Sequence, residues 1–142
     1  MKPQACDVFN SQCPSRQVLD RIADRWTALI ILALSEKTMR YGELQRRIDG
    51  VSQKMLTQTV RSLERDGMVV RKIHAVIPPM VEYSLTPLGR SLIKPLDAVR
   101  LWAESHLPEL LAARKKSASK MGPDPILQLT ARSVVESARA PS

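Results

Sequence analysis

Four side chains between Lys54 and Arg61 have the types and the spacing to recognise the edge of a base pair. Lys54, Thr57, Gln58 and Arg61 stand at i, i+3, i+4 and i+7, which puts them on one face of an α-helix. Arginine forks onto guanine, glutamine pairs with adenine in the same two-point way, and the threonine methyl meets that of thymine. Leu56, Val60 and Leu63 repeat the spacing on the opposite side, so the same helix has a face for a core. Acids are absent from Ser52 to Leu63, whereas an ordinary solvated face mixes signs. Ser52 stands where this helix must start and can cap it. With Gln53 and the free N–H groups beside them, it also suits a phosphate.

Cys13 is the second candidate. It lies immediately before Pro14, at the expected start of a helix, with Arg16 one turn on. The positive end of the helix favours thiolate over thiol, and thiolate attacks quinones, aldehydes or peroxides. The bland alternative is a buried, inert thiol. Cys6, in the segment upstream, is placed to resolve a sulfenate on Cys13. A bridge between the two would close a small loop and staple little. His74 and His106 have no motif tying them to Cys13, so a cysteine enzyme is not expected. Two Cys and two His, far apart, do not make a structural zinc site. Five glycines scattered singly make no phosphate-cradling loop. Neither metal nor cofactor is expected.

The elements that must hold these residues follow from periodicity and breakers. Residues 1–12 are polar and unpatterned and read as a flexible arm. Cys13-Pro14 opens a first helix with Val18, Leu19 and Ile22 on one face. A second, about Trp26 to Ser35, is apolar nearly all round and should be central and buried. Met39-Arg40-Tyr41 is a connector or small strand. Gly42 to Ile48 forms a third helix, with Gly50 as its left-handed cap. Ser52 to Asp66 forms the fourth, ended by Gly67. A helix, a short glycine-containing turn and a helix make a helix-turn-helix. Val69 to Ile73 and Val81 to Leu85 alternate as a hairpin with an exposed tip at Pro78-Pro79, which turns the helix-turn-helix into a winged one.

From Thr86 a long helical stretch carries Leu88, Leu92, Leu96, Val99, Ala103, Leu107 and Leu110 at spacings of 4, 4, 3, 4, 4 and 3. That is close to a heptad seam. Pro95 should kink this helix, and Pro108 should kink it again or start a new one. The patterned domain thus spans residues 13–116. Residues 117–142 form a flexible tail in which Leu127, Ala131, Val134, Val135 and Ala138 recur at helical spacing.

Composition agrees with a polyanionic partner. The chain has 142 residues, with 22 Lys and Arg against 14 Asp and Glu, a net charge of +8. Residues 37–72 hold nine bases, among them Arg40, Arg46, Arg47 and Lys72, against four acids. That excess serves phosphate neutralisation. The longest apolar run, Ala28 to Leu34, is seven residues, far short of the ~20 a membrane span needs. Neither a signal peptide nor a membrane partner is expected, and two closely spaced cysteines fit a reducing cytoplasm.

The chain resembles the HxlR-type winged-helix regulators. The resemblance rests on Cys13-Pro14 ahead of a helix, Trp26, Glu43-Leu44, and Gly50-Val51-Ser52-Gln53-Lys54-Met55-Leu56-Thr57. Leu63-Glu64-Arg65-Asp66-Gly67 and Pro78-Pro79-Met80-Val81-Glu82-Tyr83-Ser84-Leu85-Thr86 complete it. The likeness runs from about Gln12 to Leu107. It implies a homodimeric bacterial transcription regulator whose first and last helices make the dimer. Some members sense electrophiles or oxidants through the cysteine at the position of Cys13. Two departures stand out: Met80 replaces a usually basic wing residue, and Ala23-Asp24-Arg25 replaces a glycine-containing segment.

The expectation is therefore a mainly α fold with a small β-hairpin, a winged helix-turn-helix domain with N- and C-terminal dimerisation helices. Val18, Leu92, Leu96, Val99 and Ala103 would lie at the dimer. Double-stranded operator DNA is the expected partner, with repression as the sign of control and room for a small-molecule inducer. The rival is a winged helix used for protein interaction, with only nonspecific DNA affinity.

Overall fold

Caps and turn glycines divide the chain into short elements. A computed structural model describes residues 6–121. Cys13 precedes α1 (Pro14–Ile22), where the missing N–H of Pro14 costs nothing because no intrahelical acceptor exists there. Asp24 caps α2 (Arg25–Glu36). Its carboxylate accepts from the Thr27 backbone N–H at 3.1 Å and from the Thr27 hydroxyl at 3.3 Å. The charged segment before Trp26 thus supplies a helix cap.

After β1 (Met39–Arg40) comes α3 (Tyr41–Arg47). Ile48, in extended conformation, ends α3. Gly50, expected at that cap, instead takes φ +84° in the turn beyond it. The Ser52 hydroxyl accepts from the Met55 N–H at 3.1 Å and starts α4 (Gln53–Arg65). Gly67, at φ +72°, turns the chain out of α4, a conformation that glycine adopts without steric cost.

The strands β2 (Val69–His74) and β3 (Met80–Leu85) form the expected hairpin. The connector β1 joins it as a third antiparallel strand, in the order β1-β3-β2. Met39 lies opposite Tyr83 and Arg40 opposite Glu82; Val69 lies opposite Leu85 and Lys72 opposite Glu82. Alternation then sends Met39, Val69, Tyr83 and Leu85 into the core, and Arg40, Lys72 and Glu82 to the other face.

The long helix expected from Thr86 is two helices, α5 (Pro87–Ser91) and α6 (Ile93–Met121). The break falls at Leu92 rather than at Pro95. Pro95 is the third residue of α6, among the first four, whose N–H groups have no intrahelical acceptor, so no kink is needed. Pro108 lies inside α6 and starts no new helix. The helix continues past Lys116 to Met121, and the helical spacing at Leu127–Ala138 lies outside the described residues.

The chain divides into two compact units, Met1–Asp97 and Ala98–Ser142. The first holds the winged domain. Its core joins Ile30, Ile31 and Leu34 of α2 to Leu44 of α3, Leu56, Val60 and Leu63 of α4, and Tyr83 and Leu85 of β3. Leu96 completes this core at 9% exposure, and Leu92 packs against it. Two of the residues expected in a dimer seam are therefore covered within the chain. A heptad spacing defines an apolar face but not what covers it. In the second unit, Val99 is 64% exposed and Ala103 is exposed. There Trp102 stacks on His106 with ring centroids 4.8 Å apart, and Arg100 pairs with Glu104.

Candidate nucleic-acid interface

The helix α4 divides as its spacing demands. Leu56, Val60 and Leu63 are buried, while Lys54, Gln58 and Arg61 are exposed and Thr57 is partly so. Among the described residues no carboxylate lies within ion-pair distance of Lys54 or Arg61. Gln58 borders an open hollow of about 500 Å³ that it shares with Gln17 and Asp20 of α1 and with Asp24.

Both ends of α4 are anchored. At the C-terminal end, Asp66 pairs with Arg21 of α1 at 3.3 Å, and Glu64 faces Arg71 of β2 at 3.9 Å. At the N-terminal end, the Tyr41 hydroxyl lies 3.0 Å from the Gln53 carbonyl and 3.0 Å from the Thr57 hydroxyl. Tyr41 carried no signal in the sequence, because its partners are 12 and 16 residues away. Ser52 and Gln53 are exposed at this end, but the Ser52 hydroxyl already satisfies the Met55 N–H.

Ion pairs sort the bases expected at phosphates. Arg47 grips Glu36 with two donors, Nε at 3.0 Å and Nη2 at 2.6 Å. The Arg47 hydrogen bond holds the Glu36 carboxyl below the ordinary carboxylate range, and Glu36 in turn raises Arg47. Lys37 pairs with Glu43 at 3.2 Å. With help from the Arg40 backbone N–H, it lowers the Glu43 carboxyl likewise. Arg46, beside Arg47 on α3, is exposed and has no such partner among the described residues. On the wing, Arg40 and Lys72 flank Glu82 on the neighbouring strands, and His74 Nε2 lies 3.1 Å from Glu82. Neither this pair nor the Glu36–Arg47 grip is visible in sequence, since each joins two elements.

Cys13 is buried at 2% exposure and is joined to Cys6 in a disulfide with a Cα–Cα distance of 5.7 Å. Within the stretch read as an unpatterned arm, residues 7–12 fold back between the two cysteines. Asp7 and Asn10 side chains accept from the Phe9 and Gln12 N–H groups, the short-range bonds by which these residues bend a chain. Arg16, expected to support a thiolate, donates to the Phe9 carbonyl at 3.2 Å. Among the described residues no helix is long and apolar enough to cross a membrane, and no three metal-ligating side chains cluster.

A buried α2, a helix pair turning at Gly50 with an exposed polar stripe on its second helix, and a following hairpin define a winged helix-turn-helix protein. The model of the HxlR-like helix-turn-helix family matches residues 21–110. The HTH-type transcriptional regulator YtfH of Escherichia coli (strain K12) is 48% identical over 113 residues, covering 80% of this chain and 90% of that protein. The solved structure of the transcriptional regulator ytfH from Salmonella typhimurium is 45% identical with a TM-score of 0.72, covering 78% of this chain and 98% of that one. The redox regulator HypR in its oxidized form is 36% identical with a TM-score of 0.61, covering 66% and 96%. The chain belongs to the HxlR family. It is a DNA-binding transcriptional regulator, not an enzyme.

Proposed function

We propose that the chain acts as a two-fold dimer that represses transcription by placing α4 in the major groove of an operator. The observation that carries this is the stripe Lys54, Thr57, Gln58 and Arg61, turned away from the core with its two cations unopposed. Arg61 and Gln58 read guanine and adenine by two-point contacts. Arg46, Arg40, Lys72 and the Ser52–Gln53 end of α4 take phosphates. Arg47 already gives its Nε and Nη2 donors to Glu36, so its first role here is to hold α3 against the end of α2.

The proposed control runs through Cys13. Its thiolate attacks a hydrogen peroxide oxygen and the O–O bond breaks, forming a sulfenic acid and hydroxide, which takes a proton from solvent to become water. The Cys6 thiol then attacks the sulfenic sulfur, and a second water leaves as the disulfide forms. Support comes from the Cys6–Cys13 bond itself and from the likeness to a redox regulator.

The experiment is titration of duplexes enriched from a random pool, in a large excess of competitor DNA. Arg61→Ala and Gln58→Ala should each weaken specific binding by about 1–3 kcal/mol and leave nonspecific binding nearly intact. Arg46→Ala should weaken both and flatten the log–log salt slope by about 1. If no duplex survives competitor, the chain is an interaction module with nonspecific affinity. If the three substitutions behave alike, α4 is not the reading helix.

A further inference from the structure

Tyr41, the first residue of α3, touches the start of α4 at two points. Its hydroxyl lies 3.0 Å from the Gln53 carbonyl oxygen and 3.0 Å from Thr57 Oγ1. A phenol has one proton and the carbonyl can only accept. The phenol therefore donates to Gln53, and the Thr57 hydroxyl donates to the phenol. Gln53 is also the i−4 residue of Thr57. Its carbonyl is the acceptor that a helical threonine ordinarily takes with its own hydroxyl. Thr59, two residues further on, does just that with its own i−4 residue, donating to the Met55 carbonyl at 2.7 Å.

Helical threonine divides between two side-chain rotamers, and here the phenol decides where the hydroxyl goes. With Oγ1 committed to α3, the γ-methyl is the arm of Thr57 left for an outside partner, on a residue that is partly exposed in the polar stripe. We propose that Tyr41 is a positioning residue for base reading: it holds the Thr57 hydroxyl so that Thr57 meets DNA with its methyl group and selects thymine by the C5-methyl. This rests on the placement of α4 in the major groove proposed above. Methyl against methyl is the apolar contact by which threonine recognises thymine.

The test uses the full chain and a duplex enriched from a random pool, with each thymine replaced in turn by deoxyuridine, which removes only the C5-methyl. Wild type should lose about fourfold in affinity at one position per half-site, the loss expected for one buried methyl-sized group. Thr57→Val keeps the methyl and should keep that ratio; Thr57→Ser lacks it and should bind both duplexes alike. Tyr41→Phe keeps the ring but frees the Gln53 carbonyl and the Thr57 hydroxyl. It should retain the wild-type salt slope while its thymine-to-deoxyuridine ratio falls toward one.

A merely structural tyrosine would weaken all duplexes equally and leave the ratio unchanged, which overturns the proposal. So does a Thr57→Ser variant that still prefers thymine, a result readable even if Tyr41→Phe folds poorly. An enriched duplex with no deoxyuridine effect in wild type overturns this inference alone. Failure to enrich any duplex removes the major-groove reading and this one with it.

Discussion

At the residue scale, the same charge has different uses one position apart. Arg46 and Arg47 are indistinguishable in a charge count, yet Glu36 takes the Nε and Nη2 donors of Arg47. Two-point pairing of this kind is the strongest geometry for a guanidinium and a carboxylate. It has a pH signature. Because Arg47 lowers the folded-state pKa of Glu36, the stabilisation is complete above the unfolded carboxyl value of about 4.3 and disappears as pH falls through the folded value. The thermal midpoint of wild type should therefore exceed that of Arg47→Met at neutral pH. The gap should close on titration from pH about 4.3 downward. A gap that is constant with pH would mean that Arg47 acts through packing alone.

At the element scale, α4 is positioned by its neighbours more than by its own helix. Arg21 and Arg71 hold its C-terminal end from α1 and β2, and Tyr41 holds its first turn. A second joint lies under the wing, where Thr86 caps α5 by accepting from the Gly89 N–H and donates to the Gly67 carbonyl. The Thr86 N–H donates to the Met68 carbonyl at 3.0 Å. These contacts bring α5 so close to the α4–β2 turn that a Cβ at Gly89 would drive into the Met68 carbonyl oxygen. Backbone cannot yield as a flexible side chain does. Gly89→Ala should cost about 1–3 kcal/mol, the range for overpacking, measured by urea unfolding. A change within error would show that α5 moves freely against the turn.

At the scale of the whole molecule, Val18 and Val99 are exposed valines on helices that serve the core with other residues. Val18 belongs to the first unit and Val99 to the second, and the proposed dimer covers each of these exposed residues. Light scattering at micromolar concentration should give a dimeric mass. The double variant Val18→Glu, Val99→Glu should shift it to a monomer without lowering helix content, since neither side chain is in the core. A monomeric wild type would sink the two-fold reading. The redox proposal also acts at this scale, because the Cys6–Cys13 loop is joined to the start of α1. Peroxide should change operator affinity in wild type and in neither Cys13→Ser nor Cys6→Ser. A response retained in Cys6→Ser would remove the intrachain bridge from the mechanism.

Local order was legible without the fold. The leucine spacing of α4, the Ser52 cap, the turn glycine Gly67 and the alternation of Tyr83 and Leu85 are short-range patterns, and periodicity with capping chemistry is written within a few residues. The family likeness and the polar stripe followed from the same stretch. Tertiary structure alone decided which groups are already spoken for. Leu92 and Leu96 have seam spacing, but Leu96 lies in the chain's own core and Leu92 packs against it. Arg47 has a partner on another helix, and the Thr57 hydroxyl is held by a tyrosine 16 residues away. Pro95 fell harmless because a break at Leu92 put it in a first turn. Periodicity says which face a side chain shares. Only the assembled chain says what stands opposite that face, because the partner comes from another element at a distance no local pattern encodes.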